Sequence, residues 1–362
     1  MKEQTFVVSV APHIQSVETT QKIMVTTAIA LLPTVLAGIY FFGINALIVV
    51  IISVAAAVAI EAALQKVMRR DITIMDGSAV LMGLLFACIL PPTAPWWLII
   101  LGVGVGMVAG KHIYGGLGSN PFNPVLVGWA ALRLSFSAHL DRSATPLGVL
   151  KYHGVDAVLA KFKYMDLMVG NTPGSIGEVC AIGILIGGLF LLWRGYITWH
   201  IPVSFLANAA VFGAVFWKPA LMWKIALILL VIGIAYFIWR RTSLVLIILM
   251  LIAMGFAYLL KSMGANLEEL GGAGAANPLF HLFAGGMMLG AFFLATDMVT
   301  TPVTGTGMLV FGLGCGMLTM VARLWGSWVE PMLFAILVMN GFSPLIDRYI
   351  RVAPFGRVKA SA

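Results

Sequence analysis

The chain has 362 residues, of which 61% are hydrophobic and only 10% charged, and its mean hydropathy of +1.01 lies far outside the range of a soluble globular domain. A formal charge of +8 would raise the question of nucleic acid in a soluble protein. Here the basic residues read as orientation signals of cytoplasmic loops, so no nucleic-acid partner is expected. Cys88, Cys180 and Cys315 stand far apart with no CxxC spacing, which argues against an iron-sulfur or zinc site built by this chain alone.

The first 21 residues are polar and lack the basic start and apolar core of a signal peptide, so a short cytoplasmic arm on the membrane or a partner is expected. Apolar runs between polar breaks then predict helical spans near 22–43, 44–65, 77–90, 97–110, 122–137, 178–194, 199–217, 221–239, 243–260, 279–296, 305–322 and 327–346. Period-2 alternation of the barrel type is absent. The fold class is therefore an all-α polytopic integral membrane protein. With a cytoplasmic amino terminus, the inside loops collect Lys66, Arg69, Arg70, Lys111, Arg194, Arg240 and Arg241, and the tail adds Arg348, Arg351, Arg357 and Lys359. The same count puts the segment from Ser137 to Ser175, and Thr172 within it, on the outer face.

An internal repeat is legible. "MGLLFACILPPTAP" (Met82 to Pro95) resembles "LGAFFLATDMVTTP" (Leu289 to Pro302), with Gly83 matching Gly290, Phe86 matching Phe293 and Pro95 matching Pro302. "GVGVGM" then resembles "GLGCGM", and Pro124 and Pro331 fall at matching points. The span count gives the two units opposite orientations. Two inverted five-helix repeats with short or broken helices follow, plus an extra helical pair, for 10–12 transmembrane helices in all. The division expected is an arm over 1–21, a first membrane repeat over 22–137 and an outer-face loop over 138–177. A second repeat covers 178–218 and 279–347, with the inserted pair at 219–278 and a cytoplasmic tail at 348–362. "LPPTAPWW" and "TDMVTTPVTGTG" place prolines and threonines where unpaired backbone groups need a protein-lined cavity. "GGLGSNPFNP" (Gly115 to Pro124) predicts irregular backbone ahead of the fifth span.

In "NTPGSIGE", Pro173 pushes Thr172 toward an extended conformation, while Gly174 and Gly177 allow close approach by another chain or ring. Ser175 with Glu178 three residues on also reads as a capping box, a helix start needing no chemistry. Spacing alone leaves both readings open. Among charges in apolar segments, Glu61 and Glu330 read as solvated at span ends, and His112 and His200 as interfacial anchors. Asp297, with Thr296, Thr300 and Thr301, is an oxygen cluster suited to a small hard cation or to capping.

Thr-Pro-Gly-Ser-Ile-Gly-Glu in an outer loop, "FNP" ahead of a mid-chain span and "GAFFLATD" (Gly290 to Asp297) together resemble the D subunit of the Rnf ion-translocating electron-transport complex. The resemblance runs from about Thr20 to Asp347. It implies covalent FMN on Thr172 through a phosphoester, attached by a separate flavin transferase, with Pro173, Gly174, Ser175 and Gly177 shaping the site. It also implies a second, noncovalent flavin (riboflavin) between the halves, toward which Asn120 and Asn123 offer hydrogen bonds. From the residues themselves, Asp297, Thr300 and Thr301 are the candidates for ion coupling, with no metal site expected, and no residue is expected to act as a catalyst by itself. The implied partners are membrane subunits A and E, the flavinylated G subunit, iron-sulfur and NADH subunits B and C, the transferase and membrane lipids. The implied location is the bacterial cytoplasmic membrane with the Thr172 loop on the periplasmic side. Two alternatives stand beside this reading. One is the B subunit of the sodium-translocating NADH:quinone oxidoreductase, which usually has a longer polar amino-terminal region. The other is a non-redox channel or transporter of urea- or ammonium-like architecture.

Overall fold

The computed structural model describes residues 18–140, 144–217, 276–326 and 328–351. The inserted pair expected over 219–278 lies almost wholly outside these residues, as do Arg240, Arg241 and most of the arm and tail. The described residues form helices and no strand. In order these are α1 (Thr20–Phe42), α2 (Ile44–Val67), α3 (Ser78–Cys88), α4 (Trp96–Val105), α5 (Pro124–Ser135), α6 (Pro146–Lys161), α7 (Tyr164–Val169), α8 (Ala181–Arg194), α9 (His200–Trp217), α10 (Pro278–Phe283), α11 (Met287–Leu289), α12 (Gly305–Leu324) and α13 (Met332–Tyr349). A π-helical turn, Gly106–His112, prolongs α4, and another, Gly290–Leu294, prolongs α11.

α1, α2 and α12 are each long and apolar enough to cross a membrane, and α3 and α4 are shorter apolar helices. Val25, Ile29, Leu36, Ile44 and Ile51 on α1 and α2 are exposed, as lipid-facing side chains of a multi-pass membrane protein are. The span expected over 279–296 is broken. Residues 284–286, Ala-Gly-Gly, interrupt it, with Gly285 at φ +69°. Such a conformation is rare for other residues.

Both halves pack alike. α2 lies on α3 and α4, as α9 lies on α10 and α12; α4 lies on α5, as α12 lies on α13. The halves meet antiparallel. On α1 and α8, Thr34 abuts Gly183 and Ala30 abuts Gly187, one index falling as the other rises. α5 and α13 do the same, with Trp129 against Phe334 at 4.8 Å between ring centroids and Asn123 beside Asn340. Antiparallel first and last helices are what an inverted repeat requires. Small residues make the approach possible, since a Cβ on Gly183 would lie 3.2 Å from Thr34 backbone atoms and one on Gly187 would collide with the Ala30 carbonyl.

Gly187→Val should therefore separate α1 from α8 at a cost of about 1–3 kcal/mol. The check is a lowered thermal midpoint of the purified chain in detergent; an unchanged midpoint would show that the helices do not pack through this glycine.

Candidate functional sites at the two ends of a half-helix

α3 stops inside the protein because Pro91 and Pro92 follow and cannot continue a helix. Its last carbonyls need donors, and they come from the loop in front of α8. Gly177 N–H donates to Cys88 O at 2.8 Å, Ile176 N–H to Leu90 O at 3.1 Å and the Ser175 hydroxyl to Ile89 O at 3.1 Å. A Cβ on Gly177 would collide with the Cys88 side chain. These contacts explain Ser175 and Gly177 structurally. The Glu178 carboxylate accepts from Ser175 N–H at 2.8 Å, which is half of the expected capping box, yet no helix begins there. α8 starts at Ala181 with Cys180 as its N-cap, because residues 175–177 are already committed to α3.

Thr172 stands on this loop, but it is not freely outward-facing as expected: it is only 8% exposed. It lines a cleft of about 10 Å³ with Pro173, Gly174, Glu178, Leu167 of α7 and Pro146 at the start of α6. That is roughly room for one water. α6 is tethered over the site by Lys151, which donates to the carbonyls of Gly326 and Trp328, the latter at 2.9 Å. Partial burial holds the Lys151 ammonium below the usual lysine range.

The other end of α3 opens onto a cavity of about 120 Å³ between the halves. Ser78, Leu81, Met82 and Leu85 of α3 line it, with Asn120 and Asn123 on one side and Phe292, Phe293, Thr296 and Asp297 on the other. Both π-helical turns reach it, through Lys111 and through the two phenylalanines. Asn123 Oδ1 accepts from Val125 N–H at 3.0 Å, capping α5, and its Nδ2 donates to Leu294 O, the last carbonyl of the second π turn, at 3.4 Å. Asn120 Nδ2 donates to Phe122 O at 3.1 Å. Both asparagines are buried. About 15 Å of helix rise separates the two ends of α3, so Thr172 and the asparagines belong to different sites.

Asp297 accepts from Val299 N–H at 3.4 Å and from the Thr300 hydroxyl at 3.3 Å. Thr296 donates to Phe292 O instead, and Thr301 makes no described hydrogen bond to Asp297. The expected oxygen cluster is thus reduced to Asp297 and Thr300. Among the described residues no group of three or more His, Cys, Asp and Glu is placed to hold a metal.

Four charged or titratable residues are placed differently from expectation. Glu61 is 1% exposed and Glu330 is 7% exposed, so neither is solvated at a span end. Lys111 and His112 are also buried rather than in a loop or at an interface, and Lys111 Nζ lies 2.6 Å from Glu61 Oε1. Their spacing of 50 residues hides the pair in the sequence. His200 alone keeps an interfacial character, stacked on Trp199 at 4.2 Å.

Antiparallel halves whose broken helices end in the interior, around a cavity, define a polytopic membrane protein. The family is explicit: the chain belongs to the NQR2, RnfD, RnfE family, whose model matches residues 7–225 and 217–356. It is 34% identical to the D subunit of the proton-translocating ferredoxin:NAD(+) oxidoreductase complex of Clostridium ljungdahlii, over 98% of each chain. It is 33% identical to the D subunit of the Na(+)-translocating ferredoxin:NAD(+) oxidoreductase complex of Acetobacterium woodii, over 99% of this chain and 98% of that one. The D subunit of the ion-translocating oxidoreductase complex of Ectopseudomonas mendocina is 30% identical over 97% of this chain and 96% of that one.

Asn123→Ala removes a helix cap and leaves the Leu294 carbonyl without its donor, a combined cost of about 2–4 kcal/mol. Asn120→Ala removes one local hydrogen bond and should cost about 1 kcal/mol. Thermal midpoints of the two variants in detergent check the order; equal losses would contradict it.

Proposed function

We propose that this chain is the D subunit of an ion-translocating ferredoxin:NAD+ oxidoreductase of the Rnf type, a translocase subunit that is not catalytic alone. The near full-length similarity to D subunits of both proton- and sodium-translocating complexes supports the reading. Its location is then the bacterial cytoplasmic membrane, with the basic end that carries Lys66, Arg70 and Arg194 inside and the Thr172 loop outside. Partners are membrane subunits A and E, the flavinylated G subunit and the iron-sulfur and NADH subunits B and C.

Two flavin positions follow from the same reading. Thr172 carries FMN through its side-chain oxygen. The cleft around it is too small for the group, so α6 and α7 must part from the 172–179 loop when a transferase reaches the hydroxyl, and the flavin lies outside the cleft afterwards. Ser175 does not compete for modification, because its hydroxyl is committed to Ile89 O and it is 1% exposed. The inter-repeat cavity holds the noncovalent flavin. At about 120 Å³ it has the scale of one aromatic ring, given that roughly 150 Å³ accepts benzene. The exposed Leu117 and Met298, which also line it, have to yield for a three-ring group. Flavins supply one-electron and two-electron chemistry when bound. The chain's own part is to fix Asn120 and Asn123 by burial, to present Phe292 and Phe293 as apolar wall, and to exclude lipid and water through its two packed halves. The fit rests on a cavity that combines apolar wall with a few convergent polar groups.

Intact mass and peptide mapping test the first position. Chain from cells that contain the transferase should carry an FMN-sized increment on the Thr172 peptide, and Thr172→Ala should abolish it while Ser175→Ala leaves it. An unmodified Thr172 peptide from such cells would overturn the covalent site.

A further inference from the structure

The buried charges beside the cavity form a single connected network. Lys111 Nζ donates to Glu61 Oε1 at 2.6 Å and to Ser78 Oγ at 2.7 Å, and the Ser78 hydroxyl donates to Asp76 Oδ1 at 2.7 Å. Gln65 Nε2 donates to the same Glu61 oxygen at 3.2 Å and to Thr73 Oγ1 at 2.9 Å, and Thr73 N–H donates back to Gln65 Oε1 at 3.0 Å. His112 Nε2 lies 3.9 Å from Glu61 Oε1. Glu61, Gln65, Ser78, Lys111 and His112 are all buried.

The network is asymmetric. Lys111 and Ser78 line the cavity, whereas Glu61 stands behind them and does not. Among the described residues that line it, Lys111 is the one cationic side chain and Asp297 the one anionic side chain. Glu61 Oε2 and both ring nitrogens of His112 are buried without a hydrogen-bond partner among the described residues, so the far side of the pair is poorly satisfied. A pair serving stability alone would have its remaining lone pairs filled, since desolvation of two ions is otherwise not recovered. The π-helical turn is what allows the arrangement. It lets consecutive residues Lys111 and His112 both point inward, while Gly106 and Gly110 give α5 room at Pro124. Such turns recur where a helix carries a function.

We propose that Lys111 is a positioning residue that sets the electron affinity of the group in the inter-repeat cavity, with Glu61 behind it as the counter-charge that moderates the effect. The inference rests on the flavin reading of that cavity. A fixed cation at the wall favours the reduced, more negative form of the occupant, and a carboxylate one layer back weakens that preference without reversing it, because it is farther from the occupant. Lys111→Met and Glu61→Gln therefore act in opposite directions on the same equilibrium. The first makes reduction harder and the second makes it easier.

The test is a spectroelectrochemical titration of the full-length chain in detergent, carried in a Thr172→Ala background that lacks covalent flavin. The reading of the cavity is checked first: flavin released on denaturing this parent chain must be present, and its absence overturns both the cavity assignment and this proposal. With flavin present, Lys111→Met should lower its one-electron reduction constant about tenfold, roughly 59 mV, and Glu61→Gln should raise it by a smaller factor. Lys111→Arg should stay near the parent value. Because each single variant leaves a buried charge without its partner, Lys111→Met combined with Glu61→Gln is the safeguard for folding, and its constant should fall below the parent value and above that of Lys111→Met. Shifts of the same sign in the two singles, or none in any variant that retains flavin, would overturn the role of Lys111 and leave the cavity assignment standing. Loss of flavin from both singles with retention in the double variant at the parent value would reduce the pair to a structural one and overturn the proposal equally.

Discussion

The arrangement depends on backbone carbonyls that end inside a membrane protein with no water to receive them. α3 finishes at Cys88, ahead of Pro91 and Pro92, and the second π turn finishes at Leu294. Each half completes the other. The loop that leads into the second half supplies Ser175, Ile176 and Gly177 to the end of α3, and the first half supplies Asn123 to Leu294. An unsatisfied group here would cost several kcal/mol, so these exchanges hold the two repeats in register. The position of Thr172, three residues before Ser175, and the position of Asn123 at the cavity wall are consequences of that bonding.

The same constraint divides the molecule into two ends. Toward the loop of Thr172, α6 and α7 line the surface cleft and Lys151 fastens α6. Toward the basic end, the cavity collects apolar wall from α3 and the second π turn, amides from the "SNPFN" segment and a single ammonium from the first π turn. α3 runs between them and belongs to both sites. Glycine makes the packing this close, with Gly83 seated on Ser53 and Val54 of α2 and the Ser53 hydroxyl donating to Gly83 O at 2.8 Å.

Much of this was legible because it is written in local sequence. Long apolar runs delimited α1 and α2 to within two residues, and the Pro- and Gly-rich breaks marked where helices stop short. The ordered match of Met82 to Pro95 with Leu289 to Pro302 carried the repeat, and the antiparallel packing of α1 with α8 and α5 with α13 agrees with its inversion. What escaped depends on partners distant in the chain. Glu61 and Lys111 each look like a charge at a span end until the fold brings them within 2.6 Å. Ser175 and Glu178 looked like the start of a helix because nothing local reveals that α3 claims their loop. The burial of Thr172 likewise depends on α6 and α7, whose mixed composition gives no sign of where they lie.

The proposed function requires one chain to hold two flavins, one bonded to Thr172 and one resting in the inter-repeat cavity. The most direct measurement is the flavin content of the purified wild-type chain after acid denaturation, divided between the protein pellet and the supernatant. About one flavin per chain is expected in each fraction. A pellet or a supernatant without flavin, from cells that contain the transferase, would contradict it.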